Sequence, residues 1–425
     1  MKLLLAGVLI LLMHNPLVAG TPVNETGQAR VEPLAMLLDE ALVNNPDIQA
    51  AIHEMGRAAF AARQKGTLDD PVLMYKREEM PGFRWNDPFM HKIEFLQTIR
   101  FPTKLGSERE ISELDAEHAH HVHLETINMV LMQVKIAYYD LWFAQESIRL
   151  NAESASLLSQ FTEIAMTKYR VGDQGQADVL KASVEAARVE NELVGLLQMV
   201  QTAKSALMAL VNRAAADTVH AAEPIRPAAE LLPLDTLQLI AARNRPLLIH
   251  DSLTVHQREL ATSLASDEYL PDLILGVEYV NRPDLNRDAW SVTAGISLPF
   301  FPWTLGKASG RVEEAEAEVR KSRSLLLNSR NMVAASIAVQ YQKSESAKRR
   351  LFGYQHSLLP QSRQAFQATL VAYQTGKTDF MTLLDSYRTL IDLTEESLAV
   401  RREFESAVAE LQRAVGIEQI MAQKR

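Results

Sequence analysis

The chain has 425 residues, 47% of them apolar and 23% charged, with 44 basic against 53 acidic side chains, a formal net charge of -9, and no cysteine. That balance supplies one to three domains with ample core and argues against disorder and nucleic-acid binding, while zero cysteines remove thiol catalysis, zinc ribbons, disulfide scaffolds and lipidation of an N-terminal cysteine. Aromatics at 6%, with 17 glycines and 17 prolines, leave too few turn formers for an all-β chain, so long helices are the default.

The N-terminus is a segment of another kind. Lys2 precedes an apolar run from Leu3 to Met13, followed by Pro16 and the small residues Val18, Ala19 and Gly20, the pattern of a secretory signal peptide over 1–20. That run falls short of the roughly 20 residues that span a bilayer, and no later run reaches that length, so membrane insertion must use strands.

Residues 21–223 then read as one unit. A helix leads to a hairpin over 72–101, in which Val72 to Met80 is one strand and the other alternates Ile93, Phe95, Ile99 and Phe101 with Glu94, Thr98 and Arg100. Pro81 to His91, between them, reads as a solvated tip. A long helix follows over 106–170, free of proline and roughly 100 Å in length at 1.5 Å per residue, about the width of a periplasm. Ile127, Leu131, Val134, Tyr138, Leu141 and Ile148 give it a heptad seam, interrupted at Gln145. After a turn at Gly172, the returning helix over 176–212 carries its own seam at Val189, Leu193, Leu196, Val200, Ala203, Leu207 and Leu210. Pro224, Pro227 and Pro233 mark a linker over 224–233.

Residues 234–425 repeat the unit. Ala41, Asn44, Pro46, Ala61, Pro71 and Leu73 are answered by Ala241, Asn244, Pro246, Ala261, Pro271 and Leu273 at a constant offset of about 200 residues. Thr236 to Ser266 reads as one helical rise to the second hairpin, 272–301, whose strands are Leu273 to Asn281 and a period-two run from Trp290 to Leu298 around a solvated loop, Arg282 to Ala289. Phe101-Pro102-Thr103-Lys104-Leu105-Gly106 is matched by Phe301-Pro302-Trp303-Thr304-Leu305-Gly306. Helices over 306–372 and 378–416 follow, and Tyr373-Gln374-Thr375-Gly376 answers Tyr169-Arg170-Val171-Gly172 after a slip of four residues.

Four strands cannot close a membrane barrel alone, and open edges are not tolerated in lipid, so copies must associate. The duplicated Asn-x-Pro helices, the strand–Pro-x-x-Leu-Gly–helix junctions and the two Tyr-x-x-Gly turns together resemble the TolC-like outer-membrane efflux protein family over nearly the whole mature chain. The resemblance implies a mainly α chain with a membrane β-barrel: a homotrimer sharing twelve strands, continued by a periplasmic coiled-coil tunnel. It implies an exit duct in the outer membrane that contacts lipid, a periplasmic adaptor and an inner-membrane pump, and that has no cofactor and no catalysis. The tips bearing Tyr169, Arg170, Val171, Gly172 and Asp173, and Tyr373, Thr375, Gly376 and Lys377, would face the adaptor. Counting from Gly376, the family's acidic constriction falls on Asp385 and on Thr382, which departs from the acidic pattern; Asp379 and Asp178 would add carboxylates nearby. Three-fold symmetry would make each such aspartate a ring that attracts cations, whereas a single copy could equally sit on a solvated helix face.

The junction Phe101–Gly106 is similar to that of the branch exporting heavy-metal cations. His118, His120, His121 and His123 fall one helical turn apart in pairs, with 118 and 121 the candidate metal ligands, yet no carboxylate or cysteine completes a tetrahedral shell at an obvious spacing, and a solvated face accounts for them better. Leu305-Gly306-Lys307-Ala308-Ser309 lacks the glycine a phosphate loop needs, since Phe301 stands there, and no hydrolase, metalloprotease or dinucleotide motif occurs. Two other readings stay open: the outlet of a type I protein secretion system on the same fold, and an exported coiled-coil envelope protein without a pore.

Overall fold

The computed structural model describes residues 30–78, 90–172, 175–214, 217, 219–222, 231–282, 287–299 and 301–417. The proposed signal peptide, Asp173, most of the linker, most of the first hairpin loop and residues 283–286 of the second lie outside them. The loops expected over Pro81 to His91 and Arg282 to Ala289 are shorter than that, since strand pairing already starts at Met90 and runs to Arg282 and again from Arg287.

Each repeat opens with a broken helix. In the first, α1 (Leu34–Asn44) gives way to α2 (Pro46–Ala62); in the second, α5 (Leu234–Asn244) gives way to α6 (Pro246–Asp267). The expected single rise from Thr236 to Ser266 is therefore corrected. A proline holds its predecessor out of the helical region, and Asn45 and Arg245 are extended at ψ 126° and 120°. Both broken positions tie the entry of their repeat to the last turn of its returning helix. Asn45 Oδ1 accepts from the N–H groups of Asp47 (2.9 Å) and Ile48 (3.2 Å), and its Nδ2 donates to the Leu210 carbonyl at 2.8 Å. Arg245 Nη1 donates to the Ala414 carbonyl at 2.5 Å, and its Nη2 reaches Glu125 at 3.2 Å.

Strands β2 (Val72–Glu78), β3 (Met90–Ile99), β5 (Leu273–Arg282) and β6 (Arg287–Ile296) form one antiparallel sheet in that order, so β3 and β5 join the hairpins of the two repeats. A second, small sheet absent from the sequence reading pairs β1 (Arg30–Glu32) in parallel with β4 (Val219–Ala221). Three-residue strands are too short to show a period.

Beyond the sheet stand the long helices: α3 (Pro102–Arg170) and α4 (Gln176–Leu210), then α7 (Pro302–Gly353), α8 (Leu359–Gln374) and α9 (Phe380–Val415). Both outgoing helices begin at a proline, four residues ahead of the glycine expected to open them, because proline suits the first helical position. The helix expected over 306–372 is not uniform: Tyr354–Leu358 forms a π-helical segment between α7 and α8. Pro360, in the first turn of α8, has no N–H to give the preceding turn, and a widened turn lets the chain continue. Helix α4 stops at Leu210 rather than 212, since Asn212 turns left-handed at φ 56° and Arg213 N–H bonds back to the Met208 carbonyl at 2.9 Å.

The core is a string of clusters along the helices. Leu37, Ala41, Ile48, Val130, Val134, Leu207 and Val211 pack together in the first repeat, and Leu237, Ala241, Leu248, Val333, Ile337, Leu411 and Val415 form the corresponding cluster in the second. A third cluster draws on both repeats and sits at the far end from the sheet.

Candidate functional site

The far end is built from two glycine turns. Helix α8 ends with Gly376 at φ 73°, its N–H bonded to the Tyr373 carbonyl (3.1 Å) and the Lys377 N–H bonded to the Ala372 carbonyl (2.8 Å). This paired closure satisfies the last carbonyls and requires a left-handed residue, which glycine adopts without a Cβ clash. Gly172 closes α3 likewise, at φ 77° with its N–H on the Tyr169 carbonyl at 3.0 Å.

The structure brings the two turns together. Lys168 Nζ donates to the Tyr373 carbonyl at 2.8 Å and lies 4.7 Å from the centre of the Tyr373 ring. The two tyrosines of the repeated motif are not equivalent: Tyr373 is fully buried against Phe380, whereas Tyr169 is 45% exposed. Val171, Arg170, Thr375 and Lys377 are exposed around them. Below, Phe161 of α3, Phe366 of α8 and Tyr387 of α9 form an aromatic cluster with centroids 5.6 to 6.2 Å apart. Alongside it an open groove of about 620 Å³ runs between α3 and α4, lined by Ser159, Met166, Arg170, Ser183, Ala187 and Glu190 among others.

The proposed gate residues divide by what their side chains do. Asp379 Oδ1 accepts from the Thr382 backbone N–H (2.8 Å) and from the Thr382 hydroxyl (3.2 Å), so Asp379 is the N-cap of α9 and Thr382 the first-turn residue it caps. The Thr382 N–H holds the Asp379 carboxyl below its ordinary range. Asp178 sits half-buried in the first turn of α4, where a carboxylate favours the helix dipole. Asp385 is exposed on α9, one turn before Arg388. Arg388 in turn clasps Glu185 of α4, donating from both Nε (3.0 Å) and Nη2. Glu185 is 5% exposed, and its carboxyl is held low by the Arg388 guanidinium. Sequence reasoning missed Lys168, Glu185 and Arg388; their partners lie in the other repeat, and no local period announces such a pair. Higher on α9, burial and the nearby Glu192, Asp392 and Glu396 push the Glu395 carboxyl up.

At the other end the sheet has two unlike faces. One carries Tyr75, Ile93, Phe95, Val277, Trp290 and Val292, with Val292 80% and Trp290 72% exposed. The opposite face carries charge: Lys76 meets Glu94 at 2.7 Å, and Lys92 meets Glu78 at 2.5 Å and Glu278 at 3.7 Å. An exposed apolar band backed by a polar face is the pattern of a lipid-facing strand, and Tyr75, Tyr279 and Trp290 lie toward its loop end, where aromatic residues mark a membrane interface. The sheet is fixed to the helices by buried Lys104, whose Nζ donates to the Leu270 carbonyl and to Asp272, both at 2.8 Å; Asp272 also accepts from the Phe101 N–H at 3.0 Å.

The histidines lie on α3 beyond this joint. His118 packs its ring 4.7 Å from that of His250 on α6, a partner the sequence reading did not name, while His121 stands beside exposed His120 at 5.5 Å. Burial pushes His118, His121 and His123 below the ordinary histidine range. Among the described residues no three His, Asp or Glu side chains are arranged to hold a metal ion.

The comparisons agree with this geometry. Residues 239–417 match the profile of the family described as outer membrane efflux protein. The cobalt-zinc-cadmium resistance protein CzcC of Cupriavidus metallidurans is 25% identical over 330 residues, covering 75% of this chain and 76% of that protein. Among solved structures, the outer-membrane channel OprN superposes with a TM-score of 0.78 at 16% identity over 90% of this chain and 89% of its own, and the outer membrane protein VceC of Vibrio cholerae with 0.75 at 20% identity over 90% and 96%. The profile thus falls on the second repeat, the first repeat has the same order of elements, and the fold over most of the chain is similar to that of solved outer-membrane channels.

Proposed function

We propose that three copies of this outer-membrane efflux protein close one twelve-stranded barrel, and that the helices beyond it form a duct reaching across the periplasm. The observation that carries this reading is the four-stranded sheet with one apolar face, one charged face and two edges, β2 and β6, that pair with nothing among the described residues. In lipid such edges must pair with another copy, and three copies give twelve strands, a number within the range of closed membrane barrels. The paired turns at Gly172 and Gly376 are the adaptor-facing tip, and an inner-membrane pump supplies the energy. Asp385, exposed and not drawn into the α9 cap, is the carboxylate available to ring the constriction, whereas Asp379 and Thr382 shape the helix start behind it. The cargo is heavy-metal cations of the cobalt, zinc and cadmium class, the reading favoured by the likeness to CzcC.

Deleting the gene should sensitise the host to cobalt, zinc or cadmium, and the wild-type gene should restore tolerance. A Gly376→Val variant should reach the membrane without restoring it. Unchanged tolerance in the deletion strain, with the other efflux outlets removed, would exclude the metal cargo.

A further inference from the structure

His118 and His250 come from opposite repeats and meet at one level of the helical wall. At 1.5 Å per residue, His118 lies about 24 Å along α3 from Pro102, and His250 about 25 Å back along α6 from Asp267, so both are equally far from the sheet. Their ring centres are 4.7 Å apart, with 39° between the planes. The surroundings orient both rings: Asp251 engages one nitrogen of His250, and the Leu253 backbone and Thr254 meet His118 from α6. Asp251 Oδ1 lies 3.1 Å from His250 Nδ1, which fixes that ring and leaves its Nε2 without a hydrogen bond among the described residues. Thr254 Oγ1 donates to the His250 carbonyl at 3.0 Å and stands 3.5 Å from His118 Nε2, too far for a firm hydrogen bond. A carboxylate on the far nitrogen of an imidazole is the usual second layer around a metal-bound histidine. One turn along α3, His121 has a buried Nδ1 with no hydrogen-bond partner among the described residues.

We propose that His118 and His250 form a divalent transition-metal site that joins α3 to α6, with the two imidazoles as protein ligands and water filling the remaining positions. Two imidazole donors suit ions of the zinc, cobalt and copper class and not magnesium or calcium. An incomplete protein shell makes the site exchangeable. The inference stands on the geometry of this pair and does not depend on what the duct exports.

The test is equilibrium dialysis of the full-length protein in detergent against Zn²⁺ alone, repeated with Co²⁺ while following its visible absorption. One ion per chain is expected, competed by neither Mg²⁺ nor Ca²⁺. His118→Ala and His250→Gln should each abolish it, and Asp251→Asn should weaken it by about tenfold. His120→Ala, on the same helix but exposed, should leave it intact. Absence of binding to the wild-type protein would overturn the proposal. So would binding that survives both His118→Ala and His250→Gln, or that His120→Ala reduces as far as they do.

Discussion

Phe161→Ala tests the idea that the far end of the chain is held by one aromatic cluster shared between the repeats. Phe161 is 1% exposed, and its ring lies 6.1 Å from that of Phe366 and 5.6 Å from that of Tyr387, so a single side chain of α3 touches both helices of the second hairpin. Truncating a buried phenylalanine costs about 3–5 kcal/mol, and the lower end applies where a thin wall of helices can relax into the cavity. A loss of about 3 kcal/mol corresponds to roughly a hundredfold faster exchange through local opening. Hydrogen exchange read peptide by peptide should therefore show that acceleration over 155–190 and 366–391, with the sheet and its joint at Lys104 unchanged. Equal acceleration along the whole chain, or none at the far end, would refute a separately held tip.

Three further outcomes follow from the geometry. Asn45→Ala removes the α2 cap and the bond to the Leu210 carbonyl and should cost about 1–2 kcal/mol in denaturant unfolding, with Asn45→Asp, which keeps the cap, in between. The Arg388 guanidinium lowers the folded-state pKa of Glu185, so their contribution is complete above the ordinary carboxylate range and is lost as pH falls through the depressed value. Proteolysis of the tip should rise on acidification accordingly, and Glu185→Gln should show raised cleavage at neutral pH with a flatter pH profile. Asp385→Ala should raise single-channel conductance and weaken block by multivalent cations, with Asp178→Ala doing less; unchanged conductance and block in Asp385→Ala would move the constriction elsewhere on α9.

The parts of the fold visible in the sequence are those with a period. Alternation from Trp290 to Leu298 announces β6, and the heptad positions Leu131, Val134, Tyr138 and Leu141 are buried in α3. Tyr-x-x-Gly marks both turns because only a left-handed residue closes them. What stayed hidden depends on residues far apart or on backbone detail. Glu185 with Arg388, Lys168 with the Tyr373 carbonyl, and His118 with His250 each join the two repeats, and the residues between them carry no trace of the pairing. The π-helical segment before Pro360 left no period of its own. The unequal burial of Tyr169 and Tyr373 shows a limit of reading by repeat: equal motifs take unequal places once the two hairpins pack against each other.

The central claim is that this sheet closes only in company. Native mass measurement of the detergent-extracted protein tests it most directly. The account predicts particles of three chains that persist through mild detergent exchange and fall apart when the β2 or β6 edge is blocked by proline substitution. A stable single chain that still conducts ions in a planar bilayer would contradict it.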